Sequence, residues 1–246
     1  ITRNNLPHLA KWMPARGAVP VQVVHSALDL PHHPFSDAPR KPATLLSVGR
    51  LDPIKGYDVL LPALAELKRR GIAFDSVVIG EGALRDELEA QRDALGLGAM
   101  VRFVGAQPST AVRQAMVEAT LMVMPCVVTP EGNADGIPNV LTESMAAGLP
   151  VVSTRVSGIP ELVEDGVGGR LVAPNDPDSL ADAVASLLAD PERRARYAVA
   201  GRQKVGREFD VEKEAGRLLG HMRDTVRRGP QRWHAAESSR PERTQA

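Results

Sequence analysis

"TLLSVGRLDPIKGYDVLLPALAELKRRGIAFDSVVI", residues 44–79, sets two short apolar runs around one amphipathic segment. The runs "TLLSV" (44–48) and "SVVI" (76–79) are nearly continuous in apolar and β-branched residues and are bounded by glycine, proline and aspartate. Such runs read as strands buried on both faces, which is the signature of a parallel sheet sandwiched by helices. Between them the leucines at 60, 61, 64 and 67 keep a 3.6-residue period, basic residues fill the last turn, and Gly71 supplies a left-handed stop. Pro62 is expected within the first turn of this helix, where its missing N–H costs nothing.

The same alternation extends outward. "VQVV" (21–24) precedes it, and "VRFV" (101–104), "LMVM" (121–124), "VVST" (151–154) and "RLV" (170–172) follow, all read as strands. Helical patterns fill the gaps: "ALRDELEAQRDALG" (83–96) through Leu84, Leu88 and Leu95, and "TAVRQAMVEA" (110–119) through Val112, Ala115, Met116 and Ala119. The order βαβαβα predicts an α/β fold with a Rossmann-like, doubly wound parallel sheet. Beyond residue 172 the pattern is helical only, at about 178–189, 191–206 and 209–228, and these helices are expected to close on one side of the sheet. The core domain is read as 21–206, with a closing helix in 207–228. Residues 1–20 look like a helix and a linker. Residues 229–246 lack periodicity and mix proline, glycine and charge, which reads as a disordered tail, with a basic membrane contact as its minor alternative.

Composition narrows the function classes. Of 246 residues 43% are apolar, enough for a sizeable core, and 30 basic side chains balance 30 acidic ones. With no net charge there is no global field to recruit nucleic acid or an anionic membrane, so any anion must be met by a local site. The single cysteine, Cys126, excludes an internal disulfide and a multi-cysteine zinc cluster, and suits a reducing, cytoplasmic compartment. No apolar run approaches the eighteen or so residues of a membrane span, and no signal peptide opens the chain. The first residue is Ile1 rather than methionine, and the expectation is a piece of a longer protein.

Two segments offer chemistry. In "SVGRLDPIKG" (47–56) a buried strand ends, Gly49 frees the turn, and Arg50 and Lys55 follow at the carboxyl end of the strand, where doubly wound sheets bind ligands. A planar fork and a mobile point charge suit a diphosphate. The alternative is a solvated loop whose cations pair with Asp52 and Asp58. The P-loop pattern is absent. In "VIGEGALRDEL" Gly80 and Gly82 follow a strand and open a helix, but Arg85 stands where a dinucleotide fingerprint has its third glycine. A tight turn explains the pair equally well.

The second segment, "PEGNADGIPNVLTESMAAG" (130–148), carries Glu131, Asp135 and Glu143. A helix is expected from Pro138 or Asn139 to a stop at Gly148. Asp135 lies outside it, behind Gly136, Ile137 and Pro138, and can fold back over the helix start, where the amides of Asn139, Val140 and Leu141 form an anion site. An acidic loop complementing the helix dipole is the competing reading. Three other features carry less: Asp176 and Asp178 read as caps of the next helix, His32 and His33 lack partners at metal-ligand spacing, and Cys126 reads as a packed, inert thiol.

In this order and spacing the segments from Val21 to Gly206 resemble the carboxyl-terminal half of GT-B glycosyltransferases of the retaining family 4 type. "VVHSALDL", "SVGRLDPIKGYDVLLPAL", "VIGEGALRDEL", "VRFVGAQP", "DGIPNVLTESMAAGLPVVST" and "GIPELVEDGVGGRLVAPNDPDSLADAV" carry the resemblance together. It implies that Arg50 and Lys55 hold the donor's diphosphate, that Glu143 holds the ribose as the second glutamate of an EX7E signature, and that Asp135 positions the transferred sugar. Here the signature is DX7E, one methylene shorter at its first carboxylate; Ala27 and Ser144 also depart from the usual glycine and alanine. Gly49, Gly80, Gly136, Ile137, Asn139, Val140, Leu141 and the backbone of Arg102 and Phe103 would complete the donor site. The implied activity is transfer of a hexosyl group from a UDP- or GDP-type nucleotide sugar to a glycan, lipid-linked glycan or other hydroxyl acceptor, with retention and without a metal or cofactor. Residues 1–20 would be the remnant of a missing amino-terminal domain, and peripheral contact with the inner face of a membrane is compatible. A nucleotide-sugar-binding module without transferase activity and an epimerase of the same fold stand as alternatives.

Overall fold

A computed structural model describes residues 2, 3, 6 and 22–228. The readings of 1–20 and 229–246 therefore lie outside the described residues, apart from Thr2, Arg3 and Leu6. The chain orders its elements as β1 (Thr44–Val48), α1 (Tyr57–Arg69), β2 (Asp75–Ile79), α2 (Arg85–Ala94), β3 (Val101–Phe103), α3 (Ser109–Glu118), β4 (Leu121–Met124), α4 (Asn139–Ala146), β5 (Val151–Thr154), α5 (Ile159–Leu162), β6 (Gly169–Val172), α6 (Pro177–Ala189), α7 (Pro191–Glu208) and α8 (Val211–Arg228). The six strands form one sheet in the order β3-β2-β1-β4-β5-β6, and every neighbouring pair is parallel. The doubly wound α/β expectation is met.

Strand alternation divides the core in two. Leu45, Leu121, Val123 and Val152 point to a cluster with Leu60, Leu64 and Leu67 of α1, Leu88 of α2 and Leu180, Val184 and Leu187 of α6. Leu46, Met122, Met124 and Val151 point the other way, to Met116 of α3, Leu141 and Met145 of α4, Ile159 and Leu162 of α5 and Val205 of α7. Period-2 alternation in fully covered strands requires apolar residues on both sides, which is why these runs are continuous. Arg40 ties the second layer together. Its guanidinium donates to the carbonyls of Met116, Val117, Ala119 and Gly148, the negative ends of α3 and α4, at 2.7 to 3.0 Å.

Four sequence expectations need correction. Residues 22–27 form no strand, because Leu28 instead bridges in parallel to Asp210 and pairs with Phe209 and Val211 at the junction of α7 and α8. The apolar residues of that run pack a loop rather than extend the sheet. Pro62 lies in the second turn of α1, and the Asp58 carbonyl that it cannot serve accepts from Gln91 Nε2 of α2 at 3.5 Å. The terminal helices do not share one side: α6 covers the first cluster, whereas α7 contributes Tyr197 to the first cluster and Val205 to the second, passing around the β6 edge. The helix read as 191–206 continues to Glu208, and the one read as 209–228 starts only at Val211. Both glycine stops hold, with φ of +73° at Gly71 and +75° at Gly148.

Candidate functional site

Strands β1 and β4 are neighbours, yet the chain leaves β1 toward α1 on one face and β4 toward α4 on the other. The loops diverge at this point, and a crevice at the carboxyl ends of the strands results. Three contacts fasten the two loops. Gly56, at φ +69°, lies so close to β4 that a Cβ would fall 1.9 Å from the Pro125 carbonyl oxygen. Val127 N donates to Ile54 O at 3.1 Å. Lys55 Nζ meets Asp135 Oδ2 at 2.6 Å, with side chains only 12% and 22% exposed.

Sequence reasoning placed neither Tyr57 nor Cys126 beside that pair. Tyr57 donates its hydroxyl to Gly49 O at 3.1 Å, and a Cβ on Gly49 would come within 3.3 Å of both that hydroxyl and Lys55 Cε. Burial holds the Tyr57 phenol well above its ordinary range. Cys126 Sγ lies 4.0 Å from Asp135 Oδ2, and burial, followed by the Asp135 charge, pushes the thiol up to about 12. A thiol so far from its thiolate fits the inert reading. Neither a buried tyrosine nor a lone cysteine leaves a spacing signal, so only the fold reveals that they adjoin the pair.

Arg50 behaves differently from Lys55. Its Nε pairs with Asp52 Oδ2 at 2.6 Å while its side chain is 73% exposed, as the solvated-loop alternative anticipates. Lys55 reaches Asp135, not Asp58. The glycines at 80 and 82 are explained by close approach: Cβ atoms there would lie 1.9 Å from Gly49 O and 2.3 Å from Leu51 O. Both are needed to let the loops after β1 and β2 touch.

At the start of α4 the amides of Asn139 and Val140 find no acceptor among the described residues, whereas Leu141 N is already bonded to Pro138 O at 3.0 Å. Leu141 is thus removed from the anticipated set of free donors. Pro138 is the cap rather than the first helical residue. A cavity of about 260 Å³ opens beside this terminus, lined by His25, Ser26, Gly136, Ile137, Asn139 and Thr142. Gly136, Ile137 and Asn139 were named from the sequence; His25, Ser26 and Thr142 line the same cavity without having been named. His25 Nε2 is 3.2 Å from Glu161 Oε2 and its backbone N donates to Glu214 Oε2 at 2.9 Å, which anchors the cavity wall to α5 and α8.

Glu143 stands apart from Asp135. It is half-buried in α4 and its carboxylate has no hydrogen-bond partner among the described residues; burial raises its carboxyl above the ordinary range, and only the Arg113 charge on α3 opposes this. Glu131 is exposed, and its carboxyl is lowered chiefly by a hydrogen bond from Thr129, so it behaves as a loop residue. Arg102 is exposed on the edge strand β3, and the Phe103 carbonyl accepts from Arg85 Nη2 at 3.1 Å. Asp176 caps α6 by accepting from Ser179 N at 2.9 Å. Among the described residues no cluster of three or more His, Cys, Asp or Glu side chains could hold a metal, and no helix is long and apolar enough to cross a membrane.

A doubly wound parallel sheet with this crevice defines the class of Rossmann-like α/β domains. The chain belongs to the family Glycosyl transferases group 1, which matches residues 31–204. It is 34% identical over 195 residues to the putative colanic acid biosynthesis glycosyltransferase WcaL of Salmonella typhimurium, covering 79% of this chain and 48% of that protein. It is 36% identical over 159 residues to the GDP-mannose-dependent alpha-(1-6)-phosphatidylinositol monomannoside mannosyltransferase of Mycolicibacterium smegmatis, covering 64% of this chain and 42% of that protein. Among solved structures, Anabaena HepE in complex with UDP superimposes with a TM-score of 0.73 at 24% identity, over 83% of this chain and 57% of HepE. The chain spans about half the length of the curated relatives it matches.

Proposed function

We propose that this chain is the donor-binding, carboxyl-terminal half of a retaining glycosyltransferase of the family 4 type, which moves a hexosyl group from a nucleoside-diphosphate sugar to a glycan or lipid-linked glycan. The observation that carries this reading is the Lys55–Asp135 pair at the crevice between the β1 and β4 loops, beside the two unengaged amides of Asn139 and Val140. A cation, an acceptor carboxylate and a helix terminus within one crevice match the three parts of a sugar diphosphate: anion, hydroxyls and anion again. Relatives named for colanic acid and amylovoran synthesis support a role in building envelope or exported polysaccharide.

In this reading Lys55 leaves Asp135 when donor arrives. Lys55 and the amides of Asn139 and Val140 then take the diphosphate, Asp135 accepts from hydroxyls of the sugar, and Glu143 accepts from the ribose. Arg50 swings from Asp52 to the same diphosphate, as its exposure allows. The bond from the anomeric carbon to the phosphate oxygen breaks while the acceptor oxygen attacks from the same face. The acceptor's proton passes to the departing phosphate, so no general base from this half is needed. Fixed donors around the leaving group lower the barrier because they need no reorganisation as charge develops.

Calorimetric titration of the chain with GDP and UDP tests the site. At least one should bind, and Lys55→Ala should weaken that binding by about 10- to 100-fold, the value of one charge-assisted contact at about 1.5 to 3 kcal/mol. A folded chain that binds neither nucleotide, or a Lys55→Ala variant that binds like the parent, would refute the reading.

A further inference from the structure

The loops after β1, β2 and β3 are stitched in spatial order. Gly49 N donates to Ile79 O at 3.0 Å, Leu51 N to Glu81 O at 2.9 Å and Gly80 N to Gly105 O at 2.9 Å. Over the end of β3 stands one carboxylate. Gly105 has φ +75°, and a Cβ there would lie 2.8 Å from Glu81 Oε1, so the glycine leaves the space that this oxygen uses. Arg85 holds the group in place from α2: Nη1 donates to Glu81 Oε1 at 2.7 Å, Nε to Glu89 Oε1 at 2.8 Å and Nη2 to Phe103 O at 3.1 Å. An ordinary ion pair at a helix start needs no tie to β3. The Glu81 side chain nevertheless remains 53% exposed, with Oε2 unengaged.

Distance links this carboxylate to the crevice. Adjacent strands lie about 4.8 Å apart, so the ends of β1 and β3 are about 10 Å apart across β2. That is the order of separation between the diphosphate and the base of an extended nucleotide. A diphosphate at Lys55 and Arg50 thus puts its base within reach of Glu81.

We propose that Glu81, held by Arg85 over Gly105, reads the Watson–Crick edge of the donor's base and selects guanine, making the donor a GDP-hexose. The assignment rests on the donor-site reading above. Guanine offers adjacent N1–H and N2–H donors, which match the two acceptor oxygens of a carboxylate. Uracil offers one N3–H between two carbonyl oxygens, whose lone pairs face the carboxylate. Adenine offers one amino group beside the N1 acceptor. Only guanine presents two donors side by side.

Titration with GDP, UDP and ADP, on the chain and on two variants, tests this. The chain should bind GDP at least tenfold more tightly than UDP or ADP, since a bidentate base contact discriminates by about 1 to 3 kcal/mol. Glu81→Gln presents one acceptor and one donor, which complement uracil N3–H and O4, so it should lose the GDP preference and gain UDP affinity while its thermal melt stays unchanged. Gly105→Ala, which crowds the carboxylate and strains the φ +75° turn beneath it, should also lose the preference. A preference of the parent for UDP or ADP, or an unchanged GDP-to-UDP ratio in Glu81→Gln, overturns the base assignment and leaves the donor site standing. Binding of none of the three by a folded chain overturns both.

Discussion

Replacing Asp135 by asparagine should move stability and ligand affinity in opposite directions. The carboxylate meets Lys55 Nζ at 2.6 Å, and the lysine is 12% and the aspartate 22% exposed. Such a pair is neither a surface ion pair, worth under about 1 kcal/mol, nor a fully buried one, whose disruption costs about 3 to 5 kcal/mol. Discounting for the residual exposure puts the loss of stability at about 1 to 2 kcal/mol. Most of it comes from leaving an ammonium group in the crevice without its counter-charge. The same freed ammonium is what a diphosphate needs. Nucleotide diphosphate binding should therefore tighten by about three- to tenfold, because the ligand no longer breaks the pair on entry, a gain of about 0.7 to 1.4 kcal/mol. Transfer by the complete enzyme should nonetheless fall, since the sugar loses its acceptor. Urea denaturation and calorimetric titration, with Lys55→Met and the double variant closing the cycle, give both numbers. Additive effects of the two substitutions on stability, or weaker nucleotide binding by Asp135→Asn, would show that the pair does not guard the site.

Glu143→Gln should stabilise the ligand-free protein at neutral pH by about 0.5 to 1 kcal/mol, as removal of an unsatisfied functional group often does, while weakening its contact with the ribose by the loss of one acceptor oxygen and the charge. The sign follows from the raised carboxyl: a folded-state value above the unfolded one favours folding at low pH and loses that contribution as pH rises through the folded value. The advantage of the glutamine should therefore grow as pH climbs above the usual carboxylate range, and denaturation midpoints that keep a constant gap from pH 4 to pH 7 would contradict it. Gly56→Ala puts a side chain at φ +69° and 1.9 Å from a backbone oxygen, so it should cost about 3 kcal/mol or more and part the β1 and β4 loops; a thermal melt within a degree of the parent would contradict that. Arg40→Ala should cost about 2 to 3 kcal/mol, through carbonyls at the ends of α3 and α4 that lose their charged donor, and denaturant midpoints measure it.

Where local chemistry suffices, the chain announces its structure. Buried strands read as continuous apolar runs, and α1 reads from its leucine period and Gly71, because a sheet covered on both faces and a helix covered on one impose those periods residue by residue. The cap of α6 at Asp176 and the segments bearing Lys55, Asp135 and the amides of Asn139 and Val140 were legible for the same reason. Register between distant segments was not. That residues 22–24 would lie outside the sheet, that Lys55 would choose Asp135 over Asp58, and that Arg50 would turn to Asp52 depend on which loops the sheet order makes adjacent. Sequence alone determined the elements and the residue types available for chemistry. The tertiary structure decided their pairing: β1 lies against β4 with helices diverging to opposite faces, and only that adjacency brings side chains eighty residues apart to 2.6 Å.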